Sequence, residues 1–103
     1  MSTGGGPAVT SLTFDSTKCQ AIATVDPGPN GRTEWVKLWL LNGAQRELVG
    51  PMVLDGTTAE GEQIWIYQFT GGIPGGTYEA EAEICTVHIV TKQSSTTDLT
   101  CQQ

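Results

Sequence analysis

Residues 77–84 read TYEAEAEI, and apolar and charged side chains alternate there without a break. A two-residue period belongs to a β-strand, whose successive side chains point to opposite faces, and a helix would scatter these residues around its circumference. Tyr78, Ala80, Ala82 and Ile84 therefore share one face, and Glu79, Glu81 and Glu83 share the other. Residues 9–15, 19–25, 34–41, 64–69 and 87–91 are similar short runs rich in Val, Ile, Leu, Thr or aromatics. Gly, Pro, Asn or Asp borders nearly all of them, as expected where a chain turns between strands. No segment keeps a helical period over three turns. The pattern predicts an all-β, antiparallel two-sheet sandwich of seven to eight short strands.

The turns are as explicit as the strands. The run Asp26-Pro27-Gly28-Pro29-Asn30-Gly31 closes one strand, Asn42-Gly43 closes the most apolar one, and Gly71-Gly72-Ile73-Pro74-Gly75-Gly76 precedes the alternating strand. Residues 48–54 are interrupted by Gly50-Pro51, which reads as an edge strand with a bulge or kink, because proline cannot donate to a central ladder. Residues 56–63 read as polar loop or a short frayed strand, and residues 97–101 as a last strand or the end of the one before. The expected organisation is a Gly-rich arm over residues 1–7 followed by one sandwich domain over 8–103. A chain of 103 residues suffices for one core and no second.

Charge and composition remove several function classes. Eleven acidic against five basic residues give a net charge of −6, the wrong sign for displacing counterions from nucleic acid, so no nucleic-acid partner is expected. No run of about 18 apolar residues exists, so no membrane-spanning helix is expected. Residues 1–7 show neither a basic nor an apolar signal region. The expectation is a chain made without a signal peptide, on a virion surface, or an extracellular domain cut from a longer protein. No phosphate-binding loop and no GxSxG elbow occurs, and His88 is the single histidine, so no enzyme is expected. The loop carboxylates Asp26, Glu34, Asp55, Glu60 and Glu62 lack the dense alternation of a calcium loop. No cofactor is expected, and calcium is the one ion these loops would suit. Cys19, Cys85 and Cys101 allow one disulfide with a thiol left over, or three buried thiols acting as small hydrophobes.

Residues 64–84 resemble the E-to-F region of immunoglobulin-like and fibronectin-type-III-like sandwiches. An aromatic strand, IWIYQF, leads into Ile73-Pro74-Gly75-Gly76-Thr77-Tyr78 and then into alternation. The resemblance implies that Tyr78 is the tyrosine-corner residue at the start of strand F. The antibody-type cysteine is absent, Ala80 standing at its position, so the resemblance extends to architecture and to no function. It further implies that, if any pair bridges, Cys19 with Cys101, on its own side of the sandwich, fits better than Cys19 with Cys85.

The same topology makes residues 34–41 strand C, hydrogen-bonded to strand F. Trp35, Lys37 and Trp39 share one face of that strand, and Val36, Leu38 and Leu40 the other. A lysine in the middle of a buried row is costly, so the aliphatic face is expected inside and Trp35, Lys37 and Trp39 outside, beside Glu79, Glu81 and Glu83. The competing assignment buries a strand C tryptophan and turns the aliphatics outward. The three glutamates are expected to form a solvated face. The row Trp65, Tyr67 and Phe69 is expected to be core, the alternative being a sugar-stacking platform. Together these readings predict a non-catalytic structural or interaction module, a capsid-decorating or adhesin-type domain. It would bind a protein partner or copies of itself through Trp35, Lys37, Trp39, Glu79, Glu81 and Glu83. The alternative is a carbohydrate-binding module using its tryptophans.

Overall fold

The computed structural model describes residues 8–28, 33, 35–70, 75–84 and 87–96, with side chains through residue 82. Eight strands follow in order: β1 (Ala8–Asp15), β2 (Gln20–Asp26), β3 (Trp35–Asn42), β4 (Gln45–Pro51), β5 (Val53–Thr57), β6 (Gln63–Gln68), β7 (Gly76–Ile84) and β8 (Val87–Thr96). They form two four-stranded sheets, β1-β2-β6-β5 and β4-β3-β7-β8, in which every neighbouring pair is antiparallel. No helix occurs among the described residues, so the expected two-sheet all-β architecture is present. The arm over residues 1–7 and the segment 97–101 lie outside the described residues.

β1, β2, β3, β6 and β7 each turn one face to the core, as the two-residue period dictates. Val9, Leu12, Ala21, Ala23 and Val25 come from one sheet, and Val36, Leu38, Tyr78, Ala80 and Ala82 from the other, all buried. The four alanines leave room for the large side chains Trp65, Phe69 and Tyr78, the large-against-small interlock that fills a space about 10 Å wide. Trp65 and Phe69 are buried, Tyr67 is packed against the core, and Phe69 meets Tyr78 edge-on at 6.1 Å between centroids. The aromatic row of β6 is therefore core. Phe14 approaches Tyr78 edge-on at 5.0 Å, so β1 and β7 meet through these rings.

The β3–β4 hairpin has a two-residue loop, with Asn42 paired to Gln45. Gly43 takes a positive φ of 65° in the first loop position, where primed hairpin turns favour glycine. Residues 48–54, expected to be one kinked edge strand, instead belong to two strands in different sheets. The ladder slips between Leu38 and Trp39, β4 ends at Pro51, and the chain crosses at Met52, whose N–H donates to Val36 O at 2.7 Å. Gly50 makes the crossing feasible, since a Cβ there would stand 2.7 Å from the Tyr67 ring. β5 continues through Thr57, where loop or frayed strand was expected, and a turn over residues 58–62 leads into β6.

β1 also lies against β8 and closes one side of the sandwich. The other side, between the edge strands β4 and β5, carries the exposed apolar residues Leu48, Val53 and Leu54.

Candidate interaction face

The outer face of the β4-β3-β7-β8 sheet is set by the β3–β7 register. Trp35 pairs with Glu83, Lys37 with Glu81 and Trp39 with Glu79, while Val36 and Leu38 are buried on the other face opposite Ala82 and Ala80. The aliphatic face of β3 is thus the inner one, and all six residues anticipated on a common face are brought to it. Glu83 is placed there by backbone register, its side chain lying outside the described residues.

The environment of the glutamates differs from the solvated face expected. Glu79 is 8% exposed and Glu81 0%. Their cover comes from a residue that the strand-face reading missed. Arg46, on β4, stands opposite Leu41 of β3 and so projects from the same face. Its guanidinium lies over the Trp39 ring, 4.2 Å from the centroid, and continues to the carboxylates of β7. The Arg46 Nε is 3.7 Å from Glu79 Oε1, and Nη2 pairs with Glu81 Oε2. Two inter-strand spacings amount to about 10 Å, a gap closed by a long arginine side chain from one side and a glutamate side chain from the other. The turn signal alone did not give this register: an Asn42-Gly43 loop would set Leu41 against Ala44, whereas the loop is Gly43-Ala44 and sets Leu41 against Arg46.

A second cation repeats the arrangement one step along β3. Lys37 Nζ sits 4.1 Å from the centroid of the Trp35 ring. Each indole of this face therefore carries a cation, the geometry in which a ring quadrupole and a positive charge attract. A second departure from expectation is that Trp35 and Trp39, each with a cation over its ring, are partly buried, not open to solvent. The Trp39 Nε1–H is enclosed and has no hydrogen-bond acceptor among the described residues. Trp65, by contrast, is a core residue whose Nε1–H donates to Gln63 Oε1 at 3.2 Å.

The remaining anticipated residues fall elsewhere. Tyr78 is fully buried on the inner face of β7, and burial raises its hydroxyl pKa above the ordinary value. Cys19 is buried at the β1–β2 turn and is disulfide-bonded, so the all-thiol alternative does not hold for it. Cys85 and Cys101 lie outside the described residues, as does Glu34, and nothing of the His88 side chain is described. No group of three or more His, Cys, Asp or Glu side chains placed to hold a metal ion occurs among the described residues.

Chemically, this face presents aromatic planes topped by cations, with ionisable carboxylates withdrawn beneath them. Long side chains fixed by stacking and ion pairing lose their rotamer freedom on folding, so a partner meeting them has less disorder to remove. No protein-family model matches the chain, and neither the curated proteins nor the solved structures compared with it provide a match.

Proposed function

We propose that the chain is a non-catalytic interaction module of immunoglobulin-like architecture, displayed on a surface and binding through the outer face of β3 and β7. The architecture is supported by the strand order. The sheets β1-β2-β6-β5 and β4-β3-β7-β8 follow the A-B-E-D and C-F-G orders of immunoglobulin constant-type sandwiches, with β4 as an extra strand beside C. The observation that carries the function is the burial of Glu79 and Glu81 beneath Arg46 on the side of the sheet away from the core. Desolvating an ion pair contributes little net stability, and well-packed apolar residues often do as well or better. An arrangement that the fold does not need, built from indoles and arginine, has the residue types favoured at binding hot spots.

A decorating protein on a repeating surface, or an adhesin-type domain, suits such a face, and the bound partner is a protein or another copy of the chain. Sedimentation velocity on the full chain and on a Trp35→Ala, Trp39→Ala variant tests the self-binding form. The expected result is concentration-dependent association that the variant lacks while keeping its β circular-dichroism spectrum. A wild-type chain that stays monomeric contradicts self-binding, and a variant that unfolds shows the indoles to be structural. Electrophoretic retardation by a polysaccharide, lost in the same variant, would favour sugar binding.

A further inference from the structure

Cys19 is disulfide-bonded, and the sequence supplies two other cysteines, Cys85 and Cys101. A disulfide holds its two Cα atoms within about 7 Å, so the positions of the strand ends discriminate between the two partners. Cys19 O accepts a hydrogen bond from Phe69 N at 2.9 Å, just beyond the end of β6. The Phe69 ring packs against Tyr78, as does Phe14 near the end of β1. Cys19 therefore sits at the end of the sandwich where β1 and β6 finish and β7 begins.

Cys85 follows Ile84, the last residue of β7. At the rise of an extended strand, Ile84 is about 20 Å from Tyr78, at the opposite end of the sandwich. β8 then returns along β7, pairing Val87 with Ile84 and Thr96 with Gly76. Its last residue is back at the end that holds Cys19, and the chain from Thr96 to Cys101 can span up to about 17 Å.

We infer that Cys19 and Cys101 form a disulfide that joins the two sheets at one end, and that Cys85 is the remaining thiol. Cys19 leads into β2 of one sheet, while Cys101 follows β8 of the other. The bond forms by exchange with a donor disulfide such as oxidised glutathione. One cysteine thiolate attacks the donor to give a mixed disulfide, and the other cysteine displaces it. Two thiols of the chain lose two protons and two electrons, and the donor leaves as two thiols. The covalent tie closes a loop of about 80 residues, which in the chain-entropy account stabilises mainly by restricting the unfolded chain. A structural disulfide of this kind places the mature protein in thiol-oxidising surroundings. The inference stands independently of the proposed binding face.

The test is non-reducing peptide mapping of the full chain after equilibration with oxidised glutathione, denaturation and alkylation. The expected result is one cross-linked pair containing Cys19 and Cys101, with the alkyl group on Cys85. A Cys85→Ser variant should keep the cross-link and the melting temperature. A Cys101→Ser variant should lose the cross-link and melt lower by at least about 10 °C. A Cys19–Cys85 cross-link, three alkylated cysteines, or loss of the cross-link in Cys85→Ser would each overturn the assignment.

Discussion

The two outer faces of this sandwich have the same backbone pattern and opposite chemistry. The middle of the β1-β2-β6 face is filled by Ser11, Thr13, Ile22, Thr24, Ile64 and Ile66, all uncharged. The Ser11 and Thr24 hydroxyls are hydrogen-bonded across the strands, and Ile22 pairs with Ile66. Such a face is held together by many small contacts, each cross-strand pair contributing roughly 0.2–1 kcal/mol. The β3-β7 face instead concentrates its energetics in one cation, Arg46, which serves Trp39, Glu79 and Glu81 together. One face spreads its contacts over many uncharged pairs, and the other gathers several of them on one side chain.

Arg46→Ala is the largest break this contrast predicts. It uncovers two desolvated carboxylates at once, and removing one partner from a buried pair costs about 3–5 kcal/mol. Arg46 itself is 43% exposed, so screening by water lowers the expectation to about 2–3 kcal/mol. The denaturation midpoint measures this loss. Arg46→Lys should recover only part of it, because an ammonium is a point charge and does not fork between two carboxylates as a planar guanidinium does.

The next effect compares the two sides of a single strand, since Tyr78 faces inward one residue before Glu79. Tyr78→Phe should cost on the order of 1 kcal/mol at neutral pH, because a buried hydroxyl is as a rule hydrogen-bonded and the substitution removes it. Burial raises the Tyr78 pKa in the folded protein, so the folded state favours the neutral phenol. That contribution is fully present below the unfolded value of about 10 and is lost as pH rises through the folded value. The wild-type midpoint should therefore fall more steeply above pH 10 than that of Tyr78→Phe. Parallel declines would place Tyr78 in contact with water.

Smallest of all should be Ile22→Thr on the uncharged face, within roughly 1 kcal/mol of wild type, because threonine keeps the β-branch and only part of the cross-strand contact is lost. A cost as large as that of Arg46→Ala would erase the distinction between the faces.

Strand faces were legible in the sequence because a two-residue period carries them directly, as TYEAEAEI does for β7 and EWVKLWLL for β3. The placement of Lys37 outside followed from the cost of burying an amine, and the β3–β7 register, which the sequence did not specify, sets the six residues on one face. Burial of Glu79 and Glu81 was not legible from either strand. It depends on a third strand, on a side chain long enough to cross β3, and on Trp39 as the surface it crosses. The split of residues 48–54 between sheets was hidden for a related reason. Gly50-Pro51 marks a break in either case, and only the close approach of Tyr67 to Gly50 and the Met52–Val36 hydrogen bond show where the chain goes.

On the outside of the sheet, the half-exposed Arg46 and the buried Glu81 act as one unit. A double-mutant cycle with Arg46→Met and Glu81→Leu, read by chemical denaturation, measures that coupling directly. Arg46→Met should be strongly destabilised and Glu81→Leu much less so, the double variant should recover the part of the Arg46→Met loss that comes from Glu81, and the coupling energy should be about 2 kcal/mol or more. Additive losses with coupling below about 0.5 kcal/mol would contradict it, leaving Glu81 solvated and the β3-β7 face no different in kind from the one across the sandwich.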